Sequence, residues 1–272
     1  MFLGWGKMKQ EIKVLIDSEK CTGCGLCRAD CLRHVLEIQN GKMAVINESC
    51  LKCGHCLAVC PENAITLTGY NDEIIDMPGK SVFLNEKDLL THLKFRRSIR
   101  QYKDAPVEKE KLEKIIEAGR ITPTGSNTQN VRYIILQNEK DAVEDEVLAM
   151  YKTQSEWYEP LARRLNISVE TFFERMKRGF LFFKTPAVIL VVSPSEINGC
   201  LAAMSMELMA ETLGLGTVYV GLFTAPANKN KKLRETLGIA DEENITACLA
   251  LGYPKVKYLR SVPRKKANVI WR

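Results

Sequence analysis

Eight of the ten cysteines fall within residues 21–60 as two copies of one spacing, and no other feature limits the chain's possible folds as strongly. The first run is Cys21-x2-Cys24-x2-Cys27-x3-Cys31, and the second is Cys50-x2-Cys53-x2-Cys56-x3-Cys60 followed by Pro61. Each cysteine of the second run lies 29 residues after its counterpart, and the flanks keep the offset, Val35-Leu36 against Ala64-Ile65 and Ile38 against Leu67. The segment is an internal duplication. In a small secreted protein such a count would mean disulfides. The opening MFLGWGKMKQEIK, however, has no apolar core segment and no small-residue cleavage site. Metal ligation in a reducing compartment is therefore expected.

Three cysteines at x2 intervals can wrap three corners of one iron–sulfur cubane, while the fourth, placed on a short helix, reaches a second cluster. Cys21, Cys24, Cys27 and Cys60 are thus expected to hold one 4Fe–4S cluster, and Cys50, Cys53, Cys56 and Cys31 the other. Gly23, Gly25 and Gly54 would let the backbone pass close to cluster sulfur and donate N–H groups to it. Zinc is the competing metal, but zinc sites usually take two separated pairs of ligands rather than a repeated run of four. His55, among four cysteines, reads as a neighbouring donor or a solvent-facing side chain, and Cys200 and Cys248 read as core residues. Residues 12–70 resemble the bacterial two-cluster ferredoxins, with Leu32 standing where that family usually has proline.

The remainder has a different texture. The 272 residues are 46% hydrophobic and 26% charged, which excludes large-scale disorder. No apolar run reaches the roughly 18 residues of a spanning helix, so no membrane association is expected and a cytoplasmic location is. Residues 1–80 carry nine basic and ten acidic side chains, so the net charge of +6 arises beyond them. Those charges form no long basic run interleaved with aromatics, which argues against nucleic-acid binding. The expected organisation is a cluster domain over residues 1–80, a linker over 81–90 and an α+β domain over 91–272. Within the last, helices are expected at 89–95, at 107–120 (Leu112, Ile115 and Ile116 on one face) and at 201–213, ending at Gly214. Strands are expected at 131–136, 187–192, 217–223 and 245–251.

Three segments of that domain carry chemistry. Arg96, Arg97, Ser98 and Arg100 place three guanidiniums and a hydroxyl within five residues, a phosphate-binding candidate or equally a solvated helix end. Residues 123–129 (PTGSNTQ) form a turn-rich loop, and residues 263–266 (PRKK) a basic stretch. In this order they resemble the FMN-dependent nitroreductase family across residues 91–272. The resemblance implies that Arg96, Arg97, Ser98 and Arg100 grip the FMN phosphate, with Arg264 and Lys266 completing that site. It implies that Pro123, Thr124, Gly125, Asn127 and Gln129 border the flavin, although Asn130 and Val131 replace the family's Pro and Trp. It also implies that the backbone of Tyr219, Val220 and Gly221 faces the isoalloxazine, and that the protein is a homodimer. The implied fold is a ferredoxin-like two-cluster domain followed by a nitroreductase-like α+β sandwich.

The expected function is an oxidoreductase in which electrons pass from the clusters to FMN and on to a small nitroaromatic, quinone-like or enone-like acceptor. NAD(P)H or a ferredoxin- or flavodoxin-type protein is the expected donor; no G-x-G-x-x-G follows a strand, but the family resemblance implies that NAD(P)H can be accepted without one. The alternatives are a relay to a protein partner and a specialised reductase such as a dehalogenase. No side chain stands out as acid or base. The aromatics of residues 151–183, Trp157, Tyr158, Phe172 and Phe173 among them, are expected either to cover substrate or to pack helices and a subunit interface.

Overall fold

The computed structural model describes residues 11–77 and 84–272, grouped in two compact units. One holds the described residues to 77 together with Gly125–Thr128, and the other holds residues 84–124 and 129–272. Residues 1–10 and 78–83, which include part of the expected linker, lie outside the described residues.

In the first unit β1 (Val14–Ile16) pairs antiparallel with β4 (Ile65–Leu67), and β2 (Leu36–Gln39) with β3 (Lys42–Val45). Two single-turn helices, α1 (Leu26–Ala29) and α2 (His55–Ala58), follow Gly25 and Gly54, whose φ angles of 82° and 79° only glycine adopts without strain. The duplication extends to the backbone. Left-handed φ occurs at Gly23 and Lys52, Gly25 and Gly54, His34 and Asn63, and Asn40 and Gly69, each pair 29 residues apart. The helices carry the third cysteine of each run, Cys27 and Cys56, whereas Cys31 and Cys60 lie just beyond the helix ends rather than on them. The buried core is small: Val35, Leu36, Met43, Ala64 and Ile65 join Cys21 and Cys27. A core of this size gives little hydrophobic stabilisation, so bonds to a metal centre become the main source of stability.

The second unit is built on a four-stranded antiparallel sheet of order β5-β6-β8-β7, comprising Arg132–Leu136, Ala187–Ser193, Asn244–Gly252 and Gly216–Tyr219. All seven residues of β6 are buried, because helices cover both faces of the sheet. Val188, Leu190 and Val192 point into one apolar layer with Phe172, Phe182 and Phe223, while Ile189 and Val191 point into the other with Ile115 and Met206. That is why the strand reads as an unbroken apolar run instead of an alternation. α4 (Lys109–Arg120) and α8 (Glu196–Thr212) form the second layer. α5 (Lys140–Thr153), α6 (Ser155–Leu165), α7 (Val169–Arg175), α9 (Gly221–Lys229) and α10 (Lys231–Thr236) supply the first. The expected α+β class holds.

Some expectations change. α3 (Glu86–Phe95) begins inside the expected linker, because the Asn85 side chain accepts hydrogen bonds from Lys87 N and Asp88 N and caps it there. The strand expected at 217–223 stops at Tyr219, and residues 221–223 open α9. Cys248 is buried as expected, but Cys200 lies on the exposed face of α8. Phe172 is fully buried and stacks on no substrate. It meets Tyr151, Phe173 and Phe180 ring to ring, so Phe172 itself packs helices.

The glycines of the first unit separate two effects. A Cβ at Gly23 would overlap the Gly41 carbonyl oxygen, whereas one at Gly54 would meet nothing within 4 Å. Gly54→Ala is expected to cost about 1–2 kcal/mol, the left-handed strain alone. Gly23→Ala adds backbone overlap and should lower the urea midpoint considerably further. Equal midpoints would contradict this reading.

Candidate functional site

In the first unit the cysteines line two separate cavities. One is lined by Cys21, Cys24, Cys27 and Cys60, and the other by Cys31, Cys50, Cys53 and Cys56. Each cavity therefore takes three cysteines from one repeat and the fourth from the other. None of the eight is in a disulfide. Backbone amides already point at sulfur: Met43 N to Cys21 Sγ at 3.3 Å, Lys52 N to Cys50 Sγ at 3.3 Å and Ala64 N to Cys60 Sγ at 3.4 Å. Burial pushes the Cys56 thiol up to about 11 and raises the Cys27 thiol, so deprotonation there needs a cation. Among the described residues no three His, Cys, Asp or Glu side chains converge on a single-ion site. His55 is exposed.

Asn127, from the 123–129 loop, belongs to this same unit, where its Nδ2 donates to the carbonyls of Leu51 and Lys52 at 3.2 and 3.0 Å. The loop holds a tense backbone, with Ser126, Asn127 and Gln129 all at left-handed φ. Pro123, Thr124 and Gln129 fall in the second unit, and Thr124 Oγ1 accepts from Gln129 N at 2.9 Å. Gly125 is exposed.

In the second unit the arginine-rich segment is laid along the edge of β7. Ile99 N donates to Thr217 O at 2.9 Å, and the buried Ile99 side chain fills space that only a glycine at 216 leaves open. The Tyr102 hydroxyl, donating to Ile99 O at 2.8 Å, fixes the far end. Around this anchor the charged side chains are used differently. Arg96 is committed to carboxylates, with Glu207 at 2.5 Å and Glu211 at 3.9 Å, and Glu211 also takes His92 at 2.8 Å. Burial works against the charge of Arg96, but Glu207 and then Glu211 outweigh it and hold its pKa above the usual guanidinium value. Arg97 donates one nitrogen to its neighbour's carbonyl, yet its Nε and Nη2 are buried without a partner. A buried guanidinium left this way is unstable unless an anion fills the gap. Ser98 and Arg100 are exposed.

Beyond β7, Tyr219 is exposed, Val220 N donates to Cys248 O at 2.8 Å, and Gly221 is exposed with open space where a Cβ would stand. A cavity of about 650 Å³ opens against these three residues. Arg264 and Lys266 are exposed and make no hydrogen bond or ion pair among the described residues. The sequence reading missed Glu144. It is 1% exposed, and its carboxylate accepts from Gly179 N (2.7 Å), Leu181 N (2.7 Å) and Phe182 N (3.0 Å), fixing the loop on the other side of that cavity. Its signal, one glutamate among the apolar positions of α5, is visible only once the burial of that helix is known.

A sheet domain with an anion-ready edge, in one chain with two four-cysteine cavities, is the build of an iron–sulfur oxidoreductase. Comparison with known proteins agrees. Residues 93–253 match the nitroreductase family and residues 13–75 match a 4Fe-4S dicluster domain. The chain belongs to the nitroreductase family. A protein of Archaeoglobus fulgidus assigned as an NADH dehydrogenase or NAD(P)H nitroreductase is 27% identical over 169 residues, 59% of this chain and 82% of that protein. The iodotyrosine deiodinase of Hydra vulgaris is 23% identical over 198 residues, 67% and 71% of the two chains. Among solved structures, a Bacteroides fragilis nitroreductase with bound FMN has a TM-score of 0.55 at 19% identity, covering 69% of this chain and 98% of that one. A nitroreductase with bound FMN from Desulfitobacterium hafniense has a TM-score of 0.53 at 22% identity, covering 69% and 100%. No helix among the described residues is long and apolar enough to cross a membrane.

Glu144→Gln keeps the shape but removes the charge that three amides share. It is expected to lower stability by about 2 kcal/mol. Thermal unfolding of the purified protein measures it, and an unchanged midpoint would mean the carboxylate is not what holds the loop.

Proposed function

We propose that this protein passes single electrons from two 4Fe–4S clusters to FMN and delivers them to a small electrophilic acceptor. The observation that carries the flavin assignment is the Arg97 guanidinium, buried with two nitrogens unpartnered at the edge of β7. FMN has a phosphate to fill that gap, and relatives of the same fold bind FMN. Bound FMN would supply the exchange between one-electron and two-electron transfer that iron–sulfur clusters alone lack. Arg97 and Arg100, with the Ser98 hydroxyl, would hold the phosphate through charge-assisted hydrogen bonds. Arg96 would orient them from its pairing with Glu207. The open face at Gly221 would admit the isoalloxazine edge with no side chain in the way. The two sets of four cysteines would each hold one cluster, with the amides of Met43, Lys52 and Ala64 donating to their sulfurs. A nitro group takes two electrons and two protons to become a nitroso group and water, and solvent reaching the cleft would supply the protons. The donor would be NAD(P)H or a small redox protein, and the working unit a homodimer. Four iodotyrosine deiodinases among the relatives favour one second reading, reductive removal of halide from an aromatic ring.

Anaerobically purified protein should contain about eight irons per chain, two four-iron clusters, together with one FMN. Iron without flavin would overturn the reading of the second unit, and zinc in place of iron would overturn the electron path. Arg97→Ala should weaken FMN binding by about 10- to 100-fold, the loss of a charge-assisted contact. Flavin fluorescence on titrating the apoprotein measures this, and unaltered affinity would remove Arg97 from the site.

A further inference from the structure

The cavity against Tyr219 and Gly221 has an unbalanced charge. Arg175, Lys177 and Arg178 line it together with Arg100, which the FMN phosphate would take, and no Asp or Glu does. Arg178 is partly offset by an ion pair with Asp145 outside the lining. The side chains of Arg175 and Lys177 make no hydrogen bond or ion pair among the described residues, and Arg100 only lies 5.9 Å from the Phe183 ring centroid. Three exposed cations on a loose surface loop would be ordinary solvated charges. These are not on such a loop. Met176, between Arg175 and Lys177, is fully buried, and the Glu144 carboxylate grips the next turn through three amides. The chain then turns sharply at Phe183 and Lys184, both at a left-handed φ of 55°. The cationic arc is therefore presented by a fixed backbone, beside the aromatic faces of Phe180 and Phe183.

We infer that this cleft selects an anionic, planar acceptor, an aromatic carboxylate in chemical class, with the ring against the apolar wall and the carboxylate between Arg175 and Lys177. The inference rests on the proposed flavoprotein function and adds the substrate class to it. A concave wall carrying one sign of charge concentrates the field and raises the local concentration of oppositely charged ligand. Guanidinium and ammonium groups without carboxylate partners have no competing intramolecular contact to give up when that ligand arrives.

The test uses the holoprotein and two non-reducible probes of the same shape, benzoate and neutral benzamide, titrated by the flavin absorbance shift and by calorimetry. Benzoate should bind at least about tenfold more tightly than benzamide at low ionic strength, with the difference shrinking as salt screens the cations. Arg175→Gln combined with Lys177→Gln should abolish the preference, and Arg175→Lys should retain it. Equal affinities in the unaltered protein, or a preference that survives the double substitution, would overturn the inference. Loss of FMN from the double variant would overturn it as well, because the cations would then serve the cofactor. Protein that purifies without FMN fails the underlying reading instead, and calorimetry still scores the anion preference independently of the flavin.

Discussion

One backbone hydrogen bond, Ile99 N to Thr217 O, orders a run of charged residues into a candidate site. Without it the segment after α3 would be a solvated chain whose arginines point wherever water allows. With it, residues 97–100 run alongside the edge of β7, and the buried Ile99 side chain sets which neighbours turn inward. The bond is possible only because Gly216 leaves room for Ile99, which gives a glycine within a strand a packing role. Tyr102, bonded to Ile99 O, removes the remaining freedom. The geometry of the arginines is thus a consequence of sheet-edge pairing and not of their own contacts.

The pairing also explains the division of labour between adjacent arginines. Arg96 lies before the anchor and reaches α8, where Glu207 and Glu211 hold it. Arg97, one residue on, meets no carboxylate and keeps two buried nitrogens unsatisfied. A buried polar atom without a partner costs about 1–3 kcal/mol, and a charged one more. Such strain persists in a fold when binding relieves it, and an anion bound at Arg97 would raise the chain's own stability. Arg96 also keeps a buried Nε without a hydrogen bond, but Glu207 and Glu211 offset its charge, and it serves to keep the segment's start in place.

How far the sequence disclosed this differs between the two units. The cluster unit was legible almost residue by residue, since metal ligation demands one residue type at fixed spacing and the duplication supplies its own control. The 29-residue offset even recurs in the backbone, where Lys52 takes the left-handed conformation that Gly23 takes in the first repeat. The helix expected under the fourth cysteine was misplaced because a single turn leaves no periodicity to read. In the second unit the sheet and its two layers followed from apolar runs such as Ala187–Ser193. The boundary at Tyr219 did not, because 217–223 is apolar throughout and a buried strand and a buried helix start look alike in such a run. The 151–183 aromatics were equally ambiguous: ring contacts make Phe172 a packing residue, while Phe180 and Phe183 line the cleft.

What no local pattern could disclose is long-range satisfaction of polar groups. Glu144 lies 35 residues before Gly179, and nothing near either position indicates that the carboxylate of one will cap the amides of the other. Yet that pairing decides the character of the cleft. A segment as rich in charge as 174–178, left to itself, would spread its side chains into water and lose its field to screening. Buried Met176 and the Glu144 clamp oppose that from two sides, one by apolar burial and the other by satisfying amides that could not reach water. The carboxylate of Glu144 is taken up by three backbone amides and, of the cleft's cations, its charge acts on Arg178, leaving Arg175 and Lys177 unpaired. A fold that wanted only a stable loop could have used neutral donors and acceptors. Spending a buried carboxylate on the backbone while leaving Arg175 and Lys177 unpaired keeps the loop fixed and its positive charge available to a ligand.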